Sequence, residues 1–311
     1  MSTAILDAKE ILAAEPEQQD PDDGGPGGRR SFFAKRDRMS PKGWGAVAQY
    51  TVLVIAGLIS LFPFYAMIVM SMREPGVPLN FPGSLVPTDL SIQQYLEIWN
   101  TGKMPKWLFN TAIYSFVSVF FVLLFASMAG YGFAKKRFRG REVLFWMFVA
   151  MVMVPYHVTL IPQFMLIAEL GGVNTYWGLI LPTLVNVQAT FLMRQFITSI
   201  PDELIEAAKV DGAGEVRIFF TIILPLCKPI LATLGLFVFL WHWNDFLWPL
   251  VVAQREDMQV LTTGVARMLQ ENAPLSATLA GSAIALAPIL IAYMFASRHF
   301  TEGATMSGLK G

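Results

Sequence analysis

Glu206-Ala207-Ala208-Lys209-Val210-Asp211-Gly212, a mixed stretch, and then Ile222-Ile223-Leu224-Pro225 form the segment on which the reading of this chain turns. It is short, polar and helix-forming, and it lies between two long apolar runs. A membrane span has no use for it, whereas a small-faced helix held between two spans suits docking to something outside the bilayer. Pro201 fits a first helical turn, where its missing N–H costs nothing, and Asp202 and Glu203 place acids at the positive helix end. Gly212 is free to take the left-handed conformation that ends a helix. Ala207 and Ala208 keep one face small, with Glu206 and Asp211 flanking it. Val216 to Phe220 begin a second helical piece, which Pro225 and Pro229 redirect into the next span.

Outward from that segment the chain is apolar. Of 311 residues, 54% are hydrophobic and 15% charged, and the mean hydropathy is +0.50; a soluble domain is nearer a quarter charged. A span needs roughly 20 mainly apolar residues. Six runs qualify or nearly so: Val47–Met70, Leu108–Phe133, Leu144–Ile167, Trp177–Met193, Pro229–Val252 and Leu279–Ala296. Continuous runs of this length are helices, because lipid leaves backbone groups no other partner, and the period-2 alternation of a barrel is absent. The first run starts too late and is too long for a cleavable signal, so it is expected to stay as helix 1.

Zero net charge argues against a nucleic-acid partner. The single cysteine, Cys227, allows no internal disulfide, and His157, His242 and His299 have no metal-ligand spacing. Basic residues collect on the cytoplasmic side of membrane proteins. Arg29 to Lys42 precede helix 1, Lys135 to Arg141 link helices 2 and 3, and Arg194, Lys209, Arg217 and Lys228 surround the quoted segment. The opposite links are poorer in Lys and Arg. Both termini and the 199–225 link are therefore expected in the cytoplasm.

The expected organisation is a mostly disordered N-terminal tail over residues 1–45, a six-helix domain over 46–300 and a C-terminal tail over 301–311. Low hydrophobicity keeps the first tail from burying a core. In the external 71–107 link, Ile92, Tyr95, Leu96 and Trp99 share one helical face. That face suits either the membrane surface or packing on the protein's own spans; packing is the plainer expectation.

The quoted segment resembles the EAA loop of bacterial ABC-importer permeases. Glu206-Ala207-Ala208, three residues, Gly212, nine residues, Ile222, one residue and Leu224-Pro225 meet the signature, and Asp211-Gly212-Ala213 matches the form usual in sugar permeases. Trp243-Asn244-Asp245-Phe246-Leu247-Trp248-Pro249 is similar to helix 5 of the maltose-type (MalFG-like) carbohydrate permeases. Asn110-Thr111, Gly130-Tyr131-Gly132-Phe133-Ala134 and Arg137-Phe138-Arg139-Gly140 resemble their second helix and its turn. The end, Thr301 to Gly311, resembles the glycine-rich tail of one subunit of the pair. The resemblance implies an all-α membrane protein of the MetI-like type, six transmembrane helices with a cytoplasmic coupling helix, in a bacterial plasma membrane. It implies a homologous second permease, two ATP-binding-cassette ATPase subunits and an extracytoplasmic sugar-binding protein as partners. Glu206, Ala207, Ala208, Asp211, Gly212, Ala213, Leu224 and Pro225 would then couple to the ATPase, and Gly308, Lys310 and Gly311 would reach its interface. No GxxxxGK[ST] phosphate loop is present. The chain is therefore expected to be no enzyme, with ATP used by the partner subunits and no metal or cofactor of its own.

Polar residues at membrane depth usually face a cavity or a partner helix. His242, Asn244 and Asp245 lie among Trp241, Trp243 and Trp248, and sugars are bound by aromatic faces together with hydrogen-bonding groups. Asn186, Gln188 and His157, with Gln163 and Tyr156, add polar groups from helices 4 and 3. For Asp245 and His157, structural roles compete with sugar contact. Ser115, Ser118, Ser127 and Gly130 suit close helix packing, and the external 253–278 link is placed to meet a docked binding protein. The alternative is an ion-driven secondary sugar transporter. Such proteins need midplane ionisable groups and often an inverted repeat; here Asp245 is the one acid well inside a span, and no repeat is visible.

Overall fold

The computed structural model describes residues 44–307, and side chains as far as residue 294. The expectations for residues 1–43, and for Gly308, Lys310 and Gly311, lie outside these residues. The chain divides at Ser60 into two units. In the first, Trp44–Ser60 is helical and apolar almost all round, with its side chains exposed, the composition of a helix whose solvent is lipid. It opens α1 (Trp44–Ser71).

The second unit is built around α3 (Lys103–Lys135), a helix of 33 residues. Against it pack α7 (Val187–Thr198), α10 (Lys228–Trp243) and α12 (Leu261–Gln270). Small residues make that approach possible. Ser115, Ser118 and Ser127 are fully or almost fully buried, and a Cβ on Gly130 would stand 2.8 Å from Cβ of Met193. A long apolar core runs from Tyr114, Trp248 and Leu179 through Val122 and Met193 to Ile197, Ile205 and Ile218. A second cluster joins Trp107, Met104, Trp243 and Leu261 to α13 (Leu275–Ser307).

Among the described residues three helices are long and apolar enough to cross a membrane, Trp44–Ser71, Lys103–Lys135 and Leu275–Met294. Three bent pairs bring the number to six if each is one span. The expected third span is α4 (Arg141–Ala150, extended by a 3₁₀ turn to Met153) and α5 (Tyr156–Glu169), bent by 101°. Val154, preceding Pro155, takes an extended conformation, as a residue before proline prefers. The fourth is α6 (Tyr176–Ile180, with a 3₁₀ turn to Thr183) and α7, bent by 47° where Asn186 restarts the helix. In the third pair, α9 (Glu215–Ile218) continues through a π-helical turn at Phe219–Ile223 to Leu226 and meets α10 at 78°. Pro225 has no N–H for the α-helical ladder and crowds the carbonyl four residues back, and the widened turn lies directly before it.

Two boundaries differ from expectation. The fifth run, Pro229–Val252, is not one helix: α10 stops at Trp243 and α11 (Leu247–Val252) begins after a break. Asn244 turns its amide back to the Leu240 carbonyl (2.8 Å), a local side-chain bond that competes with helix continuation. The last helix also runs past Ala296 and past the expected start of the tail, as far as Ser307, with no proline after Pro288. In the 71–107 link, α2 (Gln93–Asn100) buries Gln94 and Ile98 and leaves Ile92, Leu96 and Trp99 exposed. The helix packs on α3 and α13 through Ile98 and Tyr95, as expected, while Ile92, Leu96 and Trp99 of the same face stay outward. Gln94 is satisfied by Ser276 at 3.0 Å, and Tyr95 by Ser71 at 2.6 Å.

Candidate functional site

The quoted segment folds as α8 (Asp202–Val210). Gly212 has φ +78°, and the bonds Gly212 N to Lys209 O (3.0 Å) and Ala213 N to Ala208 O (2.9 Å) close the helix end as a Schellman motif. One expectation is corrected. Ala207 faces outward, but Ala208 is buried beside Ile205, one turn away, in the protein's own core. The outward face of the segment is therefore Glu206, Ala207, Val210, Asp211 and Gly212. Ala213 and Leu224 are half-buried against the core, and Pro225 is exposed.

α8 is tied to the end of α3. The Lys135 ammonium, its side chain 7% exposed, donates to the Ile200 carbonyl (2.5 Å) and to Asp202 (2.6 Å), with Thr198 O at 3.4 Å. The hydrogen bond and charge of Lys135 hold the Asp202 carboxyl below its ordinary range. This pairing therefore persists above that range and is lost only as pH falls through the lowered value. Glu215, opening α9, accepts from Tyr131 (3.1 Å) and from Lys136 and lies 3.8 Å from Lys209. Arg194 of α7 pairs with Glu142 of α4 (2.7 Å) and lies over the Phe145 ring. The basic residues read from the sequence as topological markers are thus also the clamps of the segment. The pairings of Lys135 with Asp202, Lys136 with Glu215 and Arg194 with Glu142 were not legible as such, because those partners lie far apart along the chain.

The breaks at Val154–Pro155 and Leu184–Asn186, with the separate one at Asn244–Phe246, border one cavity of ≈ 560 Å³. Trp241, His242, Asp245, Asn186 and Gln188 line it, joined by Tyr156, Thr159, Gln163 and Thr183. Two expected members do not. Asn244 is turned onto Leu240, and His157 is exposed, in an edge contact with the Tyr156 ring. Asn186 also caps α7 through its carbonyl oxygen to Ala189 N (2.8 Å). The Asp245 carboxylate accepts from Tyr114 of α3 at 2.7 Å. His242 bonds the Val238 carbonyl through Nδ1 (2.7 Å), so that nitrogen carries the proton, and Nε2 meets Thr183 at 3.1 Å. Tyr114 and Thr183 gave no sequence signal, since a hydroxyl on an apolar helix is legible only once its partner is placed.

At the end of α3 away from α8, Asn110 donates to the carbonyls of Asp257 (2.9 Å) and Gln259 (2.8 Å) and accepts from Tyr176 (2.6 Å). Thr111 accepts from Leu261 N at 2.8 Å. This pair, flagged by sequence at the start of the second span, fastens the 253–278 link to α3.

The family of binding-protein-dependent transport system inner membrane components matches residues 122–303, more than half of the chain. The chain belongs to that family. It is 38% identical to the arabinooligosaccharides transport system permease protein AraQ of Halalkalibacterium halodurans, over 81% of this chain and 92% of the relative. It is 32% identical to AraQ of Bacillus subtilis, over 85% and 96%. It is 31% identical to the sn-glycerol-3-phosphate transport system permease protein UgpE of Yersinia enterocolitica, over 82% and 94%. A chain of a bacterial ABC transporter involved in the import of the acidic polysaccharide alginate superposes with a TM-score of 0.72. At 24% identity, over 87% of this chain and 99% of that one, that likeness speaks for the fold. In an inner-membrane component of this family, the three long apolar helices are suited to cross the membrane, six segments doing so if each bent pair is one span, and the broken helices line a cavity. Non-helical backbone at membrane depth is tolerated where it lines such a cavity.

Proposed function

We propose that this chain is the permease subunit of an ATP-driven carbohydrate importer in a bacterial plasma membrane, coupled through α8 to a separate ATPase. The observation that carries the proposal is the construction of α8: a short helix anchored inward by Ile205 and Ala208, pinned by Lys135, and presenting Glu206, Ala207 and Gly212 outward. A homologous second permease, two ATPase subunits and an external sugar-binding protein complete the assembly, with both termini and α8 cytoplasmic. ATP is bound and hydrolysed by the partner subunits. Gly308, Lys310 and Gly311 extend the contact with them. Family membership favours this reading over the ion-driven alternative.

The mechanism follows from α3. Its 33 residues span about 50 Å at 1.5 Å per residue. Its cytoplasmic end holds α8 through Lys135, its interior holds Asp245 at the cavity through Tyr114, and its external end holds the 253–278 link through Asn110. ATPase closure moves α8, and a rigid α3 carries that displacement to the cavity and to the surface that receives the sugar. The breaks flanking the cavity are the places where packed segments can change angle as rigid bodies.

Replacement of Gly212 by Trp or of Glu206 by Lys is expected to abolish uptake and substrate-stimulated ATP hydrolysis while leaving the protein in the membrane. Normal uptake by both variants would overturn the docking role.

A further inference from the structure

We infer that the cavity selects an uncharged oligosaccharide and disfavours acidic or phosphorylated sugars. This inference rests on the carbohydrate reading above and narrows it. The relatives named do not decide the point, because one named solute is a neutral oligosaccharide and another a phosphate ester.

The cavity wall decides it by charge. Among the described residues its lining carries one carboxylate, Asp245, and no ammonium or guanidinium. The lysines and arginines whose side chains are described lie in the links or within about a turn of a helix end, such as Lys135, Arg194 and Arg255. Recognition of a carboxylate or phosphate at membrane depth calls for a bidentate arginine or a lysine. Two positive helix ends do open here, α5 at Tyr156 and α7 at Val187. Each is equivalent to about half a charge, and Asp245 in the same cavity offsets both. An anionic solute would therefore meet a wall with no net positive charge and no lysine or arginine to pair with it.

The remaining groups suit a neutral polyol. Tyr156, Thr159, Gln163 and Gln188 offer hydroxyls and amides, which both donate and accept. Trp241, 60% exposed, offers an aromatic face to the C–H side of a pyranose or furanose ring.

The test uses membrane vesicles holding the whole importer, its external binding protein and internal ATP. They are offered a hydrolysate containing neutral and uronate-bearing oligosaccharides together with sn-glycerol 3-phosphate, and the lumen is resolved by mass spectrometry. Neutral oligosaccharides are expected to accumulate, with the acidic and phosphorylated solutes at background. Accumulation of either anionic class at or above the neutral level overturns the charge inference while leaving the carbohydrate reading intact. Accumulation of no sugar of any charge overturns the carbohydrate reading, and this inference with it. Gln188→Arg and Gln163→Arg, on two different helices, separate the cavity from the binding protein. Each is expected to cut neutral accumulation several-fold, with membrane abundance and sugar affinity of the binding protein unchanged. Undiminished accumulation in both would remove the cavity from selection.

Discussion

Gly212 shows how one residue serves two ends: with φ +78° it terminates α8 and lies on the outward face of the coupling segment. A β-branched replacement must adopt the left-handed region at a cost of about 1–2 kcal/mol. Gly212→Val is therefore expected to speed proteolysis around residues 199–215 before any global unfolding is seen. Gly264 is constrained differently. A Cβ there would lie 2.3 Å from the Trp107 ring, and Gly264→Ala is expected to lower stability by about 1–3 kcal/mol as the indole is displaced, measurable as a lower melting temperature in detergent. The two glycines differ in legibility. Gly212 follows a capped amphipathic helix, a local pattern, whereas the constraint on Gly264 comes from a tryptophan on another helix.

At the scale of elements, prolines and polar clamps set the geometry. Pro155 makes the sharpest bend, 101°, beside the cavity. Its replacement by Ala restores an N–H and relaxes the preceding residue toward helix. Pro155→Ala is expected to reduce uptake with the subunits still assembled, checked by uptake and co-purification together. Lys135 is the corresponding clamp at the coupling segment. Its ammonium holds the 198–202 backbone and Asp202, so Lys135→Met keeps the apolar stem but loses those bonds. Basal ATP hydrolysis is expected to persist in the assembled complex while stimulation by substrate is lost. Retained stimulation would show that α8 moves α3 without this contact. The helical segments were largely readable from apolar runs, but the split of the fifth run at Asn244–Phe246 was not, because apolarity continues across it.

For the molecule as a whole, α3 joins the three places where function is expected. Asn110, near the N-terminal end of α3, satisfies two carbonyls and a tyrosine hydroxyl at once. Asn110→Leu strands all three, at a cost of about 1–3 kcal/mol for each buried group left unpaired. Faster amide exchange is expected across 253–261, with weaker docking of the binding protein and little change near α8. Exchange unchanged in that link would show that Trp107 and Thr111 suffice to hold it.

Apolar run length, charge asymmetry and the spacing from Glu206 to Pro225 determined the membrane class, the expected orientation and the coupling helix, because each depends on chain-local chemistry. They also nominated Trp241, His242, Asp245, Asn186 and Gln188, since polarity inside a span is costly wherever it occurs. Only the tertiary structure decided that these five share one cavity, that Asn244 and His157 stay out of it, and that Ala208 faces inward. It also decided that Tyr114 and Lys135 link cavity and coupling helix through α3. Helix bends and rotations set which side chains meet, and those are products of packing between segments far apart in the chain.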